Sequence, residues 1–70
     1  MSKNKKFFLN GVAYYIQAEI TMLDLVNYFN YNNSLLVLEY NNLIYNKKDW
    51  DKIYIKYNAR IEIVTIVGGG

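Results

Sequence analysis

The chain has 70 residues, a net charge of +2 from eight Lys and Arg against six Asp and Glu, and no His, Cys or Pro. A domain this short buries only about 60% of the surface its unfolded chain exposes. A hydrophobic fraction of 53%, with eight Tyr, three Phe and one Trp, is nonetheless rich enough for one packed core. One small α+β domain spanning residues 1–70 is expected.

The missing residue types exclude chemistry. Without Cys there are no disulfides, thiolate metal sites or thiol nucleophiles, and without His the commonest metal ligand and general base are gone. A charge of +2 is too small for an electrostatic footprint on nucleic acid or anionic lipid, and no apolar run reaches the roughly 18 residues of a membrane span. Neither a membrane nor a nucleic-acid partner is expected. Frequent Asn, Lys, Ile and Tyr reflect AT-rich coding, as in plastids and some bacteria, so the expected location is the cytoplasm or the plastid stroma.

In chain order, Asn10-Gly11 separates two aromatic-rich apolar runs. It supplies the two positive φ angles of a type I′ turn and predicts a hairpin with strands at Lys5–Asn10 and Val12–Ala18. Met22, Leu25, Val26 and Phe29 then fall at i, i+3, i+4 and i+7, one face of a helix of about ten residues. Thr21 is its N-cap, with Asp24 three residues on as a reduced capping box, and the Asn30 to Asn33 stretch is its expected end.

Leu35 to Leu38 reads as a central strand, and Leu43-Ile44-Tyr45 as a short returning strand. Asn46 to Asp51 reads as a turn or short 3₁₀ segment whose Trp50 folds onto the core. After Ile53-Tyr54-Ile55 and a turn at Asn58-Ala59 comes a strongly β-forming run, Arg60 to Val67. The resulting expectation is a mixed four- to five-stranded sheet with one helix across one face. Its core would hold Phe7, Leu9, Met22, Leu25, Val26, Phe29, Leu36, Leu38, Ile44, Trp50, Ile61 and Ile63.

Few of the usual chemical constellations are present. No Gly-rich loop precedes a helix, so no phosphate cradle is expected. Asp49 and Asp51 could hold a cation weakly, although a solvated pair beside Trp50 is the commoner arrangement. Interleaved aromatics and Lys could stack single-stranded RNA, and a small RNA-binding or purely structural, non-catalytic interaction domain is an alternative that would need no free C-terminus.

The sequence ends Gly68-Gly69-Gly70, three residues that cannot contribute to a core and are expected to form a flexible tail. Its carboxylate would be thin enough to enter a narrow active site of another protein. Alternation along the last strand puts Ile61 and Ile63 inward and Glu62, Val64 and Ile66 outward. Val64 and Ile66, with Phe8 on a neighbouring strand, are candidate partner contacts.

The ending Arg60-Ile61-Glu62-Ile63-Val64 through Val67-Gly68-Gly69-Gly70 closely resembles that of the ThiS family, the β-grasp, ubiquitin-like sulfur carrier proteins of thiamine biosynthesis. Asn10-Gly11 matches that family's first turn and Thr21-Met22-Leu23-Asp24-Leu25 its helix start. Leu38-Glu39-Tyr40-Asn41, with Ile44 and Trp50, matches its middle segment, so the resemblance runs from about Phe7 to Gly70. Asn42 stands where the family usually has Gly, Asn46 where it has Pro, and Asn58-Ala59 where it has Gly-Asp.

The resemblance implies a protein substrate rather than an enzyme, with no cofactor of its own. A ThiF-like adenylating enzyme would use ATP to activate the Gly70 carboxylate, and a cysteine desulfurase system would supply sulfur to make a thiocarboxylate. A ThiG-like thiazole synthase would receive that sulfur for the thiazole ring of thiamine, from a carrier monomeric when free. The small subunit of molybdopterin synthase, which shares the carrier chemistry, is the nearest alternative.

Overall fold

The computed structural model describes residues 4–29 and 36–65. Five strands, β1 (Lys5–Leu9), β2 (Val12–Ile16), β3 (Leu36–Tyr40), β4 (Leu43–Ile44) and β5 (Arg60–Thr65), form one sheet in the order β2-β1-β5-β3-β4. The β1–β5 pair is parallel and the other pairs are antiparallel. Among the described residues one α-helix, α1 (Met22–Tyr28), and one 3₁₀ segment (Lys47–Lys52) accompany the sheet.

The turns explain the pairing. Asn10 and Gly11 have φ of 50° and 82°, and Asn41 and Asn42 have 51° and 72°, so both hairpins close on two residues with positive φ. Leu9 faces Val12 across the first turn and Tyr40 faces Leu43 across the second. The first Asn of each turn also tethers β5. Asn10 Oδ1 accepts from the Ile63 N–H and Asn41 Oδ1 from the Arg60 N–H, both at 2.8 Å.

Asn42, Asn46 and Asn58, which depart from the pattern of the family the sequence resembles, each sit in a backbone conformation open to the residue they replace. Asn42 and Asn58 take the left-handed conformation a Gly would serve, Asn58 at φ 60°. Asn46 lies at φ −67° and ψ 146°, the conformation that a proline ring would fix.

Helix α1 begins with both halves of the capping box: Thr21 Oγ1 accepts from the Asp24 N–H (3.1 Å) and Asp24 Oδ2 from the Thr21 N–H (2.9 Å). It is shorter than its periodicity suggests. Phe29 caps it at φ −88° and ψ 4°, out of helical range, while its N–H still reaches the Leu25 carbonyl at 3.2 Å. The expected end at Asn30 to Asn33 lies outside the described residues.

Other bounds also move. β2 stops at Ile16 rather than Ala18, because Gln17 and Ala18 bend, and Asn10 belongs to the turn. β3 runs on through Tyr40, and β4 ends at Ile44, after which the Tyr45 N–H turns back to the Leu38 carbonyl at 3.2 Å. Residues 53–55 run beside the entry to α1, where Met22 donates to Ile53 and Ile55 to Ile20.

The core lies between the helix and one face of the sheet. Phe7, Leu9, Met22, Leu25, Val26, Leu38, Trp50, Ile61 and Ile63 are buried, as their positions in the sequence predict. Phe29 and Leu36 are only partly buried and pack against this cluster. Ile44 is a correction: opposite Glu39 on the outermost strand, it stands on the uncovered face and is 68% exposed.

Tyr40, Ile55 and Ala59 complete the buried set. The Tyr40 hydroxyl donates to the Tyr54 carbonyl (3.0 Å) and accepts from the Lys56 N–H (3.2 Å), fastening the segment after the 3₁₀ turn to β3. Leu25, 2% exposed, sits in the middle of the helix contact. Leu25→Ala is expected to cost about 2–5 kcal/mol as a cavity substitution. A urea midpoint equal to the parent's would refute that placement.

Candidate functional site

The helix covers one face of the sheet. Because directly opposed residues share a face, the register assigns the other: Tyr15 with Lys6, Ala13 with Phe8 and Arg60, Glu62 with Glu39 and Ile44, and Val64 with Val37. No described helix lies over these side chains.

Each strand contributes a different chemistry. Near the first hairpin, the Lys6 ammonium lies 5.2 Å and the Arg60 guanidinium 5.0 Å from the centroid of the half-buried Phe8 ring, so two cations share one aromatic. In the middle, Glu39 and Glu62 oppose each other directly, a like-charge pair that disfavours the bare sheet. Beyond them Val64, 57% exposed, and the half-buried Val37 form an apolar pair on the last turn of strand before residues 66–70.

The alternation predicted for β5 is therefore observed over Ile61 to Val64. The structure does not, however, bring the three candidate contacts together. Phe8 pairs with Arg60, four residues before Val64, which is about 13 Å along the strand at about 3.3 Å per residue. The charged rows lie between them. Ile66, together with Gly68, Gly69 and Gly70, lies outside the described residues.

The sequence reading missed the apolar neighbour of Val64, which is Val37 on β3, and the facing of Glu39 by Glu62. Both depend on the β3–β5 register, which no local pattern encodes. Asp49 and Asp51 fall on the 3₁₀ segment, and no group of three or more candidate metal ligands forms among the described residues. No described helix is long and apolar enough to cross a membrane.

β5 occupies the centre of the sheet, held by β1 on one side and β3 on the other. Its start, Arg60 and Ile61, pairs with β1, and from Ile61 to Thr65, the part that leads towards the terminal glycines, it pairs with β3.

Comparison with known proteins agrees with this architecture. The chain is similar to an uncharacterized protein, ycf40, of Trieres chinensis, at 61% identity over 70 residues that cover all of this chain and 96% of that one. It is also similar to a ycf40 protein of Porphyra purpurea, at 29% identity over 70 residues covering all of this chain and 99% of that one.

Among solved structures, the crystal structure of a thiamine biosynthesis protein, ThiS, from Geobacter metallireducens superimposes with a TM-score of 0.80. The match covers 93% of this chain and 99% of that one at 16% identity, which establishes the β-grasp fold. The family model described as the ThiS family matches residues 8–70, the hairpin, helix, sheet and terminal glycines together, and the chain belongs to that family.

Proposed function

We propose that this chain is a sulfur carrier whose reacting group is the main-chain carboxylate of Gly70. The observation that carries the reading is the extent of the family match, which continues through the central strand to the three terminal glycines. A sequence with neither Cys nor His has no thiolate or imidazole nucleophile, and a terminal carboxylate needs neither.

The chemistry follows from the weakness of a carboxylate as an electrophile. A ThiF-like enzyme joins the Gly70 carboxylate to the α-phosphorus of ATP, and pyrophosphate leaves. The acyl-adenylate is then attacked at carbon by a persulfide from a cysteine desulfurase system, expelling AMP, and a thiol cleaves the resulting S–S bond to leave a thiocarboxylate. A ThiG-like thiazole synthase takes this sulfur for the thiazole of thiamine. The carrier supplies no catalytic group. Gly69 and Gly70 lack a Cβ, which suits a narrow enzyme channel.

The open sheet face is the proposed docking surface, with Val64 and Phe8 as contacts on it and Val37 beside Val64, and Ile66 is proposed as a further contact. A partner covering the Val37–Val64 pair would bring cations to Glu39 and Glu62 and relieve their repulsion. The ycf40 name of the relatives and the AT-rich residue bias support a plastid setting.

The test is intact-protein mass spectrometry after incubation with adenylating enzyme, ATP and a sulfur source. Replacement of one carboxyl oxygen by sulfur at the activated terminus adds about 16 Da. An unchanged mass with a competent enzyme would defeat the proposal. Val64→Asp is expected to weaken binding to the adenylating enzyme or the thiazole synthase by about tenfold or more, since each 1.4 kcal/mol is a factor of ten, with thermal stability nearly unchanged at this exposed site. Unchanged affinity for both enzymes would remove Val64 from the docking surface.

A further inference from the structure

A second surface lies away from the open face, where strand β2 forms one edge of the sheet. The N–H groups of Phe8 and Asn10 donate towards β5, to the carbonyls of Ala59, just before it, and of Ile61. In an antiparallel ladder the alternate residues Phe7 and Leu9 therefore bond to β2, through Tyr14 and Val12. The backbone N–H and C=O of Ala13 and Tyr15 are left pointing outward. No described strand pairs with them.

Beside this edge a groove of about 430 Å³ opens between β2 and α1. Its walls include Tyr14 and Ile16 from the strand, Ile20 from the connection, and Leu25 and Tyr28 from the helix. That volume lies within the range of about 300–1,000 Å³ typical of ligand clefts. Rings pack in series along it, Phe7 on Tyr14 at 5.8 Å and Tyr14 on Phe29 at 5.4 Å, so the wall is built of rigid groups. Asp24 is the one ionised side chain lining it.

An unpaired row of backbone donors and acceptors beside an apolar groove specifies its occupant. A compact small molecule would leave the edge unsatisfied, whereas an extended peptide supplies N–H and C=O groups at the strand repeat and drops alternate side chains into the groove. We propose that β2 and α1 together bind an extended segment of a partner polypeptide as a sixth strand. Its side chains facing the groove are apolar at alternate positions, and a Lys or Arg lies against Asp24.

This site is independent of the carrier chemistry. β2 is separated from β5 by the whole of β1, so the edge and the strand leading to the glycines are two strand spacings, about 10 Å, apart. A partner can hold the groove while another engages the terminus. The proposal stands whether or not Gly70 accepts sulfur.

The experiment pans a display library of random linear decapeptides against the full chain, with the Ala13→Pro chain as counter-selection. Proline at Ala13 deletes an outward N–H while keeping the bonds between β2 and β1. Tyr28→Ser, at a side chain 79% exposed, provides a second variant outside the core. The expected result is enrichment of peptides with alternating apolar residues and a basic flank. An enriched peptide should slow amide exchange at Ala13 and Tyr15 at least tenfold, and each substitution should weaken its binding at least tenfold.

Three results would overturn the proposal. One is no enrichment over the Ala13→Pro chain. Another is a peptide that shifts the resonances of Val37 and Val64 instead of those of β2. The third is a chain that sediments as a dimer until Ala13→Pro dissolves it, which would assign the edge to a second copy.

Discussion

Trp50→Ala is expected to remove about 3–5 kcal/mol of stability, the largest loss open to a single side chain of this protein. Trp50 is 1% exposed, and it is the bulkiest of the fully buried side chains. Its indole N–H also donates to the Tyr45 carbonyl at 3.1 Å, so truncation opens a cavity and strands an acceptor at once. At about 0.05–0.15 kcal/mol per residue the whole domain is worth about 4–10 kcal/mol, so the loss is about a third of that or more.

Trp50→Phe separates the two contributions. It keeps most of the apolar volume and loses the hydrogen bond, so it should cost clearly less than alanine. Denaturant melts followed by far-ultraviolet circular dichroism are the appropriate measurement, since Trp50 is the one tryptophan and its fluorescence disappears with it. An alanine variant that unfolds within about 1 kcal/mol of the parent would show that the 3₁₀ segment does not anchor the core.

That role for Trp50 was legible because a lone large apolar residue in a polar stretch has few stable places to go. The hairpin was legible from Asn10-Gly11, whose two positive φ values are a property of two residues and need no tertiary help. The inward set on β5 follows in the same way from a period of two. In each case the signal is contained within a few adjacent residues.

What the sequence concealed depends on register between distant segments. The bond from Ile63 to Asn10 Oδ1 joins residues 53 apart, and an Asn in a turn gives no hint that its side chain serves another strand. Tyr40 follows a charged residue at the end of an apolar run and reads as a strand terminus. Its burial depends on partners at Tyr54 and Lys56 that accept and donate at its hydroxyl. Ile44 failed in the opposite direction: an apolar residue on a two-residue edge strand has no layer above it, whatever its own preference.

The docking face was half legible for the same reason. Val64 could be placed outward by alternation alone, but its neighbour Val37 and the opposed carboxylates beside it required the β3–β5 pairing. The groove at β2 required more again. That β2 is an edge follows from the parallel pairing of β1 with β5, the longest-range contact between strands in the fold.

Deleting Gly70, or adding one residue after it, is expected to abolish sulfur gain while leaving the fold untouched. Among the described residues, the last one in the core is Ile63, so neither change removes a packing contact seen in the structure. Each moves the carboxylate by about 3.3–3.6 Å, the reach of one residue. Misplacement by about 1 Å can cost a hundredfold when reacting atoms must be aligned, so the adenylation rate should fall by at least about that factor. The chains are compared by intact mass after reaction, alongside thermal melts that should coincide with the parent's. A Gly70→Ala chain adds a control, because it keeps the carboxylate in register and introduces only a Cβ beside it. It should react more slowly than the parent but faster than the deletion if channel width and terminus position both matter. A Gly70-deleted chain that gains about 16 Da as fast as the parent would show that the sulfur is carried elsewhere, and the terminal-carboxylate mechanism would fall with it.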